Sequence, residues 1–382
     1  MWLTILLSGA VAVVLALLLG GGSSGDKTRT SPASPIPTSG KDGRVGPPAI
    51  NPKNVYAADR PGLLAPAVRR DPNLVYVPNS DSNTVSVINP RTYKVIDQFP
   101  VGINPQHVVP SYDLRTLWVN NDQGNSLTAI DPRTGKPRRT IPVTDPYNLY
   151  FTPDGRYAIV VSERLQRLDF RDAHTMKLHH SLPVPCSGPN HMDFTADGRF
   201  LLLSCEFDGK AVEVDVANEK VVGSIALDPG GMPQDVKLSP DGKDFYVADM
   251  ARGGVWIVDA HRLRRVGFIP TGAGAHGLYV SRDARDLYVS NRMEGSVSVI
   301  SFARRRAVQK WRIPGGGSPD MGGVSADGRV LWLAGRYNAV VYAFNTRTGR
   351  VIAQIPVGNG PHGLCVFPQP GRYSLGHTGV FR

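Results

Sequence analysis

The chain has 382 residues, a formal net charge of +11 and a sequence pI near 9.7. This basic excess favours anionic partners, but the Lys and Arg residues are scattered and no helix-turn-helix, aromatic sheet motif or Cys/His finger accompanies them, which argues against nucleic-acid binding. Three cysteines are too few for a disulfide framework, which excludes the small disulfide-rich class.

The N-terminal region predicts export. An uncharged apolar run from Trp2 to Leu19 indicates a signal peptide or membrane anchor within residues 1–22, and without a clear cleavage site both alternatives stay open. Residues 23–53 are rich in Gly, Ser, Pro and Thr and predict a disordered tether. We therefore expect an extracytoplasmic protein, secreted or anchored, whose partners are another protein or an anionic cell-envelope component and, through the N-terminal segment, the membrane.

One pattern, YVPNSDSNTVSVIN in its first copy, recurs seven times in residues 54–382. The copies lie 41 to 44 residues apart and begin at Tyr76, Trp118, Ile159, Leu202, Tyr246, Tyr288 and Trp332. Each copy alternates apolar and polar residues as strands do, and a second series of turns such as TPDGRY and SPDGKD separates the copies. Each repeat therefore predicts four antiparallel strands.

Repeats of this size cannot bury their own apolar faces and must pack against one another. The predicted fold is all-β: a seven-bladed β-propeller of four-stranded antiparallel blades around a central channel, spanning residues 54–382. The strand count leaves the first blade short of an inner strand. We expect the C-terminal strand that begins near His362 to complete it, so that N- and C-terminal strands close the ring within one blade.

The repeats YVPNSDSNTVSVINPRTYKVI and YVSNRMEGSVSVIS and the turns VGINPQH and VGNGPHG resemble those of the YVTN-repeat, or YncE-like, β-propeller family. The resemblance covers about residues 54 to 367. It implies the propeller fold and an exported bacterial protein, but it implies no single function, because propellers of this kind serve as enzymes, binding platforms and surface proteins.

Each repeat places one polar position at the loop that enters the inner strand. These seven positions track the repeat and hold four of the nine histidines: His107, Asn148, His191, Asp235, His276, Met321 and His362. Imidazole and carboxylate groups that converge in a channel are ligands for copper or zinc. We therefore predict a metal site at the channel mouth, with His107, His191, His276, His362 and Asp235 as ligands. A structural interpretation stays open, in which an inherited histidine bonds backbone groups in each blade.

The loops between second and third strands lie on the same face and carry arginines suited to a carboxylate or phosphate. The predicted ligand-binding residues are Asn148, Arg164, Arg292, Met321, Arg336 and Tyr337. In this region Cys186 and Cys205 either form a bridge or remain free, and Cys365 is expected to be buried and free.

Familiar catalytic motifs are missing from the sequence. It contains no Walker loop, G-x-S-x-G elbow, H-E-x-x-H helix or Cys-x-x-Cys pair, and GAGAHG at Gly272 precedes a strand rather than a helix. We therefore favour an exported, non-catalytic propeller that binds a protein, cell-wall polymer or small ligand on its loop face. The alternative is a metal- or ligand-dependent enzyme, oxidoreductase or lactonase-like, with a His-rich site at the channel mouth.

Overall fold

The structure is a computed structural model that describes residues 43–377 and 380–382. The predicted signal peptide or anchor of residues 1–22 lies outside this range. Within it, no helix has both the length and the apolar character needed to cross a bilayer.

Seven antiparallel sheets of four strands form the blades of a ring, which confirms the predicted fold. Two short 3-10 helices, Ala57–Asp59 and Pro66–Val68, precede the first strand. Blades 1 to 3 contain β1 (Leu74–Asn79), β2 (Thr84–Asn89) and β3 (Lys94–Pro100); β4 (Pro105–Pro110), β5 (Leu117–Asn121), β6 (Ser126–Asp131) and β7 (Lys136–Pro142); and β8 (Asn148–Phe151), β9 (Tyr157–Ser162), β10 (Arg167–Asp172) and β11 (Leu178–Pro183).

The remaining blades follow the same order. Blades 4 to 7 contain β12 (Pro189–Phe194), β13 (Phe200–Cys205), β14 (Lys210–Asp215) and β15 (Lys220–Ala226); β16 (Pro233–Leu238), β17 (Asp244–Asp249), β18 (Gly254–Asp259) and β19 (Arg264–Pro270); β20 (Ala275–Val280), β21 (Asp286–Asn291), β22 (Ser296–Ser301) and β23 (Arg306–Arg312); and β24 (Pro319–Val324), β25 (Val330–Gly335), β26 (Val340–Asn345) and β27 (Val351–Pro356). The last strand, β28 (Cys365–Phe367), belongs to blade 1.

The apolar core lies between neighbouring blades rather than inside any one blade. Val75 of blade 1, for example, packs in one cluster with Trp332 and Val341 of blade 7. Inner strands such as β4 are buried at every residue, whereas the outer strand β7 is almost wholly exposed. Burial of this kind requires every blade to have two neighbours, which a closed ring provides.

The last strand closes the ring, as predicted. β28 runs antiparallel to β1, with Leu74 opposite Phe367 and Tyr76 opposite Cys365. The first blade is thus assembled from both ends of the propeller.

Two segments cover one face of the ring, which we call the tail face. They are residues 43–71 and the described part of the C-terminal segment, residues 368–377 and 380–382, and they lie against the turns that join first and second strands. The Val45 N–H donates to the Asp197 carbonyl, and the Val45 side chain is buried. Residues 23–42 of the predicted disordered tether lie outside the described residues, and within its last part Val45 packs in a buried apolar cluster of the ring.

The C-terminal segment continues from β28 into the channel. The Phe151 N–H donates to the Leu375 carbonyl, and the His377 N–H donates to the Leu149 carbonyl, so the segment pairs with the inner edge of blade 3. Its last residue, Arg382, is buried, and its Nη2 lies 2.9 Å from Asp193 Oδ1. The segment therefore closes the channel from the tail face.

The opposite face, which we call the mouth face, carries the loops between second and third strands. A disulfide joins Cys186, in a loop on this face, to Cys205 at the end of β13. The bridge settles the alternative that the sequence left open, and Cys365 is buried and free as expected.

The buried ion pair of Arg382 predicts a measurable contribution to stability. Replacing Arg382→Met leaves the Asp193 carboxylate buried without its cation, which is expected to cost about 3 kcal/mol. The midpoint of urea unfolding should fall accordingly. The double variant Asp193→Asn/Arg382→Met should recover part of the loss because it removes the charge as well. Equal midpoints for wild type and Arg382→Met would contradict this account.

Candidate metal centre in the channel

A β-bulge in the inner strands determines which side chains face the channel. In blade 4, Pro189 pairs with Cys205 and Met192 pairs with Leu203, so Asn190 and His191 together lie opposite the single residue Ser204. The same register shift occurs at the same place in the inner strands of blades 2, 5, 6 and 7. A bulge re-aims side chains, and here each blade contributes two consecutive residues to the channel.

The bulge separates the channel positions into two sets. The first position holds Gln106, Tyr147, Asn190, Gln234, His276, Asp320 and His362, and the second holds His107, Asn148, His191, Asp235, Gly277, Met321 and Gly363. The repeat spacing predicted that His276 and His362 are equivalent to His107, but the equivalent residues are Gly277 and Gly363, one position later. The spacing of 45 residues from His276 to Met321 lies outside the repeat range of 41 to 44 and indicates this shift.

Two predicted histidines meet a third that the sequence analysis missed. His107 and His191, from blades 2 and 4, lie 5.4 Å apart between ring centroids, and His377 of the C-terminal segment lies 5.3 and 4.7 Å from them. One nitrogen of each ring falls within 4.8 Å of the others. We call these three residues the three-histidine site. All three are buried.

Five of the six ring nitrogens of this site lack a hydrogen-bond partner among the described residues. Among the described residues, no hydrogen bond reaches either nitrogen of His107, either nitrogen of His191, or Nε2 of His377. Burial holds the pKa of each of the three imidazoles well below its ordinary value, so the rings are neutral and each retains a lone pair. Buried polar atoms without partners are rare in folded proteins and require a physical explanation.

Two neighbours fit the three-histidine site closely. A Cβ at Gly363 would lie 2.0 Å from His107 Nδ1, so only glycine admits the ring there. Asn148 Nδ2 lies 3.2 Å from His377 Nδ1, while its oxygen accepts the Leu149 N–H. Asn148 is therefore a positioning residue for His377, and coordination through Nε2 would require this amide to present its oxygen instead.

The other two predicted histidines form a separate group with Asp320, which we call the His-Asp-His site. His276, Asp320 and His362 each bring one potential ligand atom within 4.8 Å of the others. Arg292 enters this group, with Nη2 2.6 Å from Asp320 Oδ1 and 2.5 Å from His276 Nε2. The two sites adjoin, because the rings of His107 and His362 are 4.8 Å apart.

Some predicted ligands are already engaged by donors. Asp235 accepts backbone N–H bonds from Val236 and from Leu278 of the next blade, and Lys237 Nζ lies 3.3 Å away. The bond from Leu278 joins neighbouring blades, so Asp235 has a structural role here, and its Oδ2 also lies 3.7 Å from His377 Nε2. Met321 is buried, with its sulfur 3.0 Å from His276 Nδ1.

The predicted arginines differ in what they contact. Arg164 forms an ion pair with Asp145 at 2.7 Å, which leaves it no free charge for a ligand. Arg336 instead donates to the Ser80 hydroxyl and the Gly360 carbonyl and has no ion-paired carboxylate within the described residues. Beside it, the side chain of Tyr337 is exposed on the mouth face.

Tyr147 and two acids separate the histidines from the mouth face. The Tyr147 ring meets His107 and His191 edge-on, with centroids 5.5 and 6.1 Å away. Burial, together with the charges of Glu206 and nearby aspartates, raises the pKa of Glu163 to about 8. Burial also raises the pKa of Glu206. The histidines thus lie below a closed, partly protonated layer rather than at an open rim.

Comparisons with known proteins agree with the fold. The chain matches the family model of the YNCE-like beta-propeller over residues 56–372. A search of curated proteins found no match. Among solved structures, a functionally unknown protein from Desulfotomaculum acetoxidans DSM 771 is similar, with a TM-score of 0.66 and 16% identity over 77% of this chain and 98% of that one.

Two further solved structures are similar at the same level. Hydrazine synthase of Kuenenia stuttgartiensis has a TM-score of 0.62 and 19% identity, covering 76% of this chain and 96% of that one. A putative 6-phosphogluconolactonase from Bacteroides fragilis NCTC 9343 has a TM-score of 0.63 and 18% identity, covering 78% and 99%. At these identities the likeness extends to the fold alone.

The raised pKa of Glu163 predicts a pH-dependent stability. A carboxyl whose pKa rises from 4.5 in the unfolded chain to about 8 in the folded protein binds its proton more tightly when folded. Stability is therefore lost as the pH rises from about 5 to 8. Because this side chain is only partly buried, we expect a loss of about 1 to 2 kcal/mol relative to Glu163→Gln. Unfolding free energies of both proteins at pH 5 and pH 9 test this, and an unchanged difference between them would contradict it.

Proposed function

The chain belongs to the YncE-like β-propeller family, and we propose that it is an exported protein that binds a transition-metal ion in its channel through His107, His191 and His377. The observation that carries the proposal is the set of five buried ring nitrogens, on three converging imidazoles, that have no hydrogen-bond partner among the described residues. Of these, His377 Nε2 lies 3.7 Å from Asp235 Oδ2, beyond hydrogen-bond distance.

The energetics of burial support a ligand at this place. Each buried donor or acceptor that loses its water without gaining a partner costs about 1 to 3 kcal/mol. Histidines that served only to bond the backbone of each blade would have backbone partners, as Asp235 does. A metal ion that accepts one lone pair from each ring would offset this cost.

The donor set favours zinc or copper. Neutral imidazoles suit these ions, and three of them leave a further coordination position open, as in catalytic zinc sites. Ligand atoms around a tetrahedral zinc ion stand about 3.4 Å apart for bonds near 2.05 Å. The ring nitrogens lie within 4.8 Å of one another, so small side-chain rotations would bring them to that spacing. When bound, such an ion supplies a Lewis acid, and the reaction it would serve is not assigned.

Two features support the extracytoplasmic location. The apolar run from Trp2 to Leu19 favours export. The Cys186–Cys205 disulfide is of a kind that persists in oxidising compartments and is rare in the cytosol.

Metal titration of protein purified without a histidine tag and treated with a chelator tests the proposal. We expect one tight equivalent of zinc or copper per chain and a rise in melting temperature, since an ion that binds only the folded state at 100 times its Kd adds about 2.7 kcal/mol of stability. His191→Gln and His377→Gln should each weaken this binding at least tenfold, by analogy with the roughly 10- to 100-fold losses seen for outer-shell residues.

His180→Gln is the matched control, because His180 lies on the outer strand β11 and contacts Glu219 rather than the channel. This variant should bind the ion like wild type. Failure of the wild type to bind either ion, or equal binding by His191→Gln, would refute the three-histidine site.

A second candidate function is the docking of a protein partner on the mouth face. Loops on this face expose a set of apolar side chains from different blades: Ile103, Leu165, Phe207, Met293 and Tyr337. Exposed apolar groups gathered on one face favour an interface, and Arg336, which lacks an ion-paired carboxylate among the described residues, suits an acidic group at that surface. This is the binding role that the sequence analysis favoured.

Cross-linking and pull-down from intact cells distinguish this candidate. The triple variant Phe207→Ser/Met293→Ser/Tyr337→Ser should lose a partner that wild type retains, because its apolar anchors are gone. The control triple Ile96→Ser/Val222→Ser/Ile352→Ser changes exposed apolar residues on outer strands and should keep it. Retention of the same partner by both triples would contradict docking on the mouth face.

A further inference from the structure

The His-Asp-His site contains two buried acceptors that face each other. His362 Nδ1 lies 3.1 Å from the Gln106 carbonyl, which only accepts, so Nδ1 carries the ring hydrogen and Nε2 presents a lone pair. Nε2 lies 3.5 Å from Asp320 Oδ2, for which no donor exists among the described residues. Both side chains are almost completely buried. Two facing acceptors of this kind repel unless a proton or a metal ion lies between them.

The spacing of these atoms fits a metal ion. Two ligand atoms on a tetrahedral ion stand about 3.4 Å apart when each bond is near 2.05 Å. The observed separation between His362 Nε2 and Asp320 Oδ2 is 3.5 Å. An imidazole, a carboxylate and a second imidazole form a ligand set that is typical of zinc.

The third ligand of the group is held by a protein cation. Arg292 Nη2 donates to His276 Nε2 at 2.5 Å and to Asp320 Oδ1 at 2.6 Å, and the guanidinium is buried with them. Because Arg292 donates to Nε2, the His276 hydrogen lies on Nδ1, which is 3.1 Å from Asp320 Oδ1. The lone pair that His276 would give to a metal ion is therefore engaged by Arg292.

We propose that His276, Asp320 and His362 form a second transition-metal site, in which Arg292 is a built-in cation that an incoming ion must displace. This site lies beside the three-histidine site of the proposed function but rests on different residues and a different observation. The guanidinium neutralises Asp320 when no ion is bound, and like charge prevents it and a divalent ion from sharing the carboxylate. Arg292 thus sets how readily the second ion enters.

The displaced guanidinium has another acid within reach of its charge. Burial raises the pKa of Glu206, and the positive charge of Arg292 acts against that rise; Glu206 lies at the mouth face and accepts a hydrogen bond from Asn190. Movement of Arg292 toward Glu206 would free Asp320 and His276 together. With both sites filled, the two ions would occupy neighbouring sites, because the rings of His107 and His362 are 4.8 Å apart.

Stepwise zinc and cobalt titration of the intact protein tests the inference. Wild type should bind one ion tightly at the three-histidine site and a second weakly. Arg292→Met and Arg292→Gln should each tighten the second step at least tenfold, because the competing cation is gone. The first step, measured in the same titration, reports whether the channel of each variant is folded.

Double variants assign the second ion to its site and separate this inference from the proposed function. Arg292→Met/His362→Gln should lose the second ion and keep the first, whereas Arg292→Met/His191→Gln should keep the second and lose the first. Absence of any tightening in both Arg292 variants, or survival of the second ion in the His362→Gln background, would overturn the inference. If wild type and all variants lack the first, tight ion but the Arg292 variants still bind the second, only the three-histidine site is refuted.

Discussion

The hydrogen bonds between β28 and β1 are the interaction on which the rest of the structure depends. They supply the first blade with its inner strand and give the seventh blade a neighbour, so that apolar surfaces between all blades are covered. The chain that follows β28 crosses the tail face, where the Gly371 N–H donates to the Leu63 carbonyl, and then enters the channel, where the His377 N–H donates to the Leu149 carbonyl. Closure of the ring and docking of this segment together bring His377 to His107 and His191.

The polar interior of the channel mostly joins one blade to the next. Asp193 accepts the Leu238 N–H and Asp235 accepts the Leu278 N–H, each from the following blade. The Tyr150 hydroxyl likewise accepts the Met192 N–H. Polar side chains bonded in this way stabilise the ring at little cost. The imidazoles of the three-histidine site differ because most of their nitrogens have no such partner, and this contrast favours a ligand over a purely structural role.

Several features were predictable from the sequence because they follow from the repeat. The period and the alternation of apolar residues predicted seven blades, their strands and the closing strand, and the repeated polar position predicted that histidines from distant blades converge. The register of His276 and His362 was not predictable from the repeat. A bulge turns two adjacent residues of the inner strand toward the channel, and the sequence does not indicate which of the two contributes to which site. Asp320 was missed for the same reason, as the neighbouring Met321 occupied the aligned position.

The sequence by itself determined the architecture, since a period-two pattern repeated at a blade-sized interval has few other ways to bury its apolar faces. Only the tertiary structure decided the chemistry of the channel. His377 lies outside every repeat, so no spacing could place it, and Arg292, predicted as a ligand-binding residue of the loop face, is buried against Asp320. Contacts between segments far apart in the chain depend on how the ring closes and where the C-terminal segment docks. No local sequence pattern predicts the contacts that result.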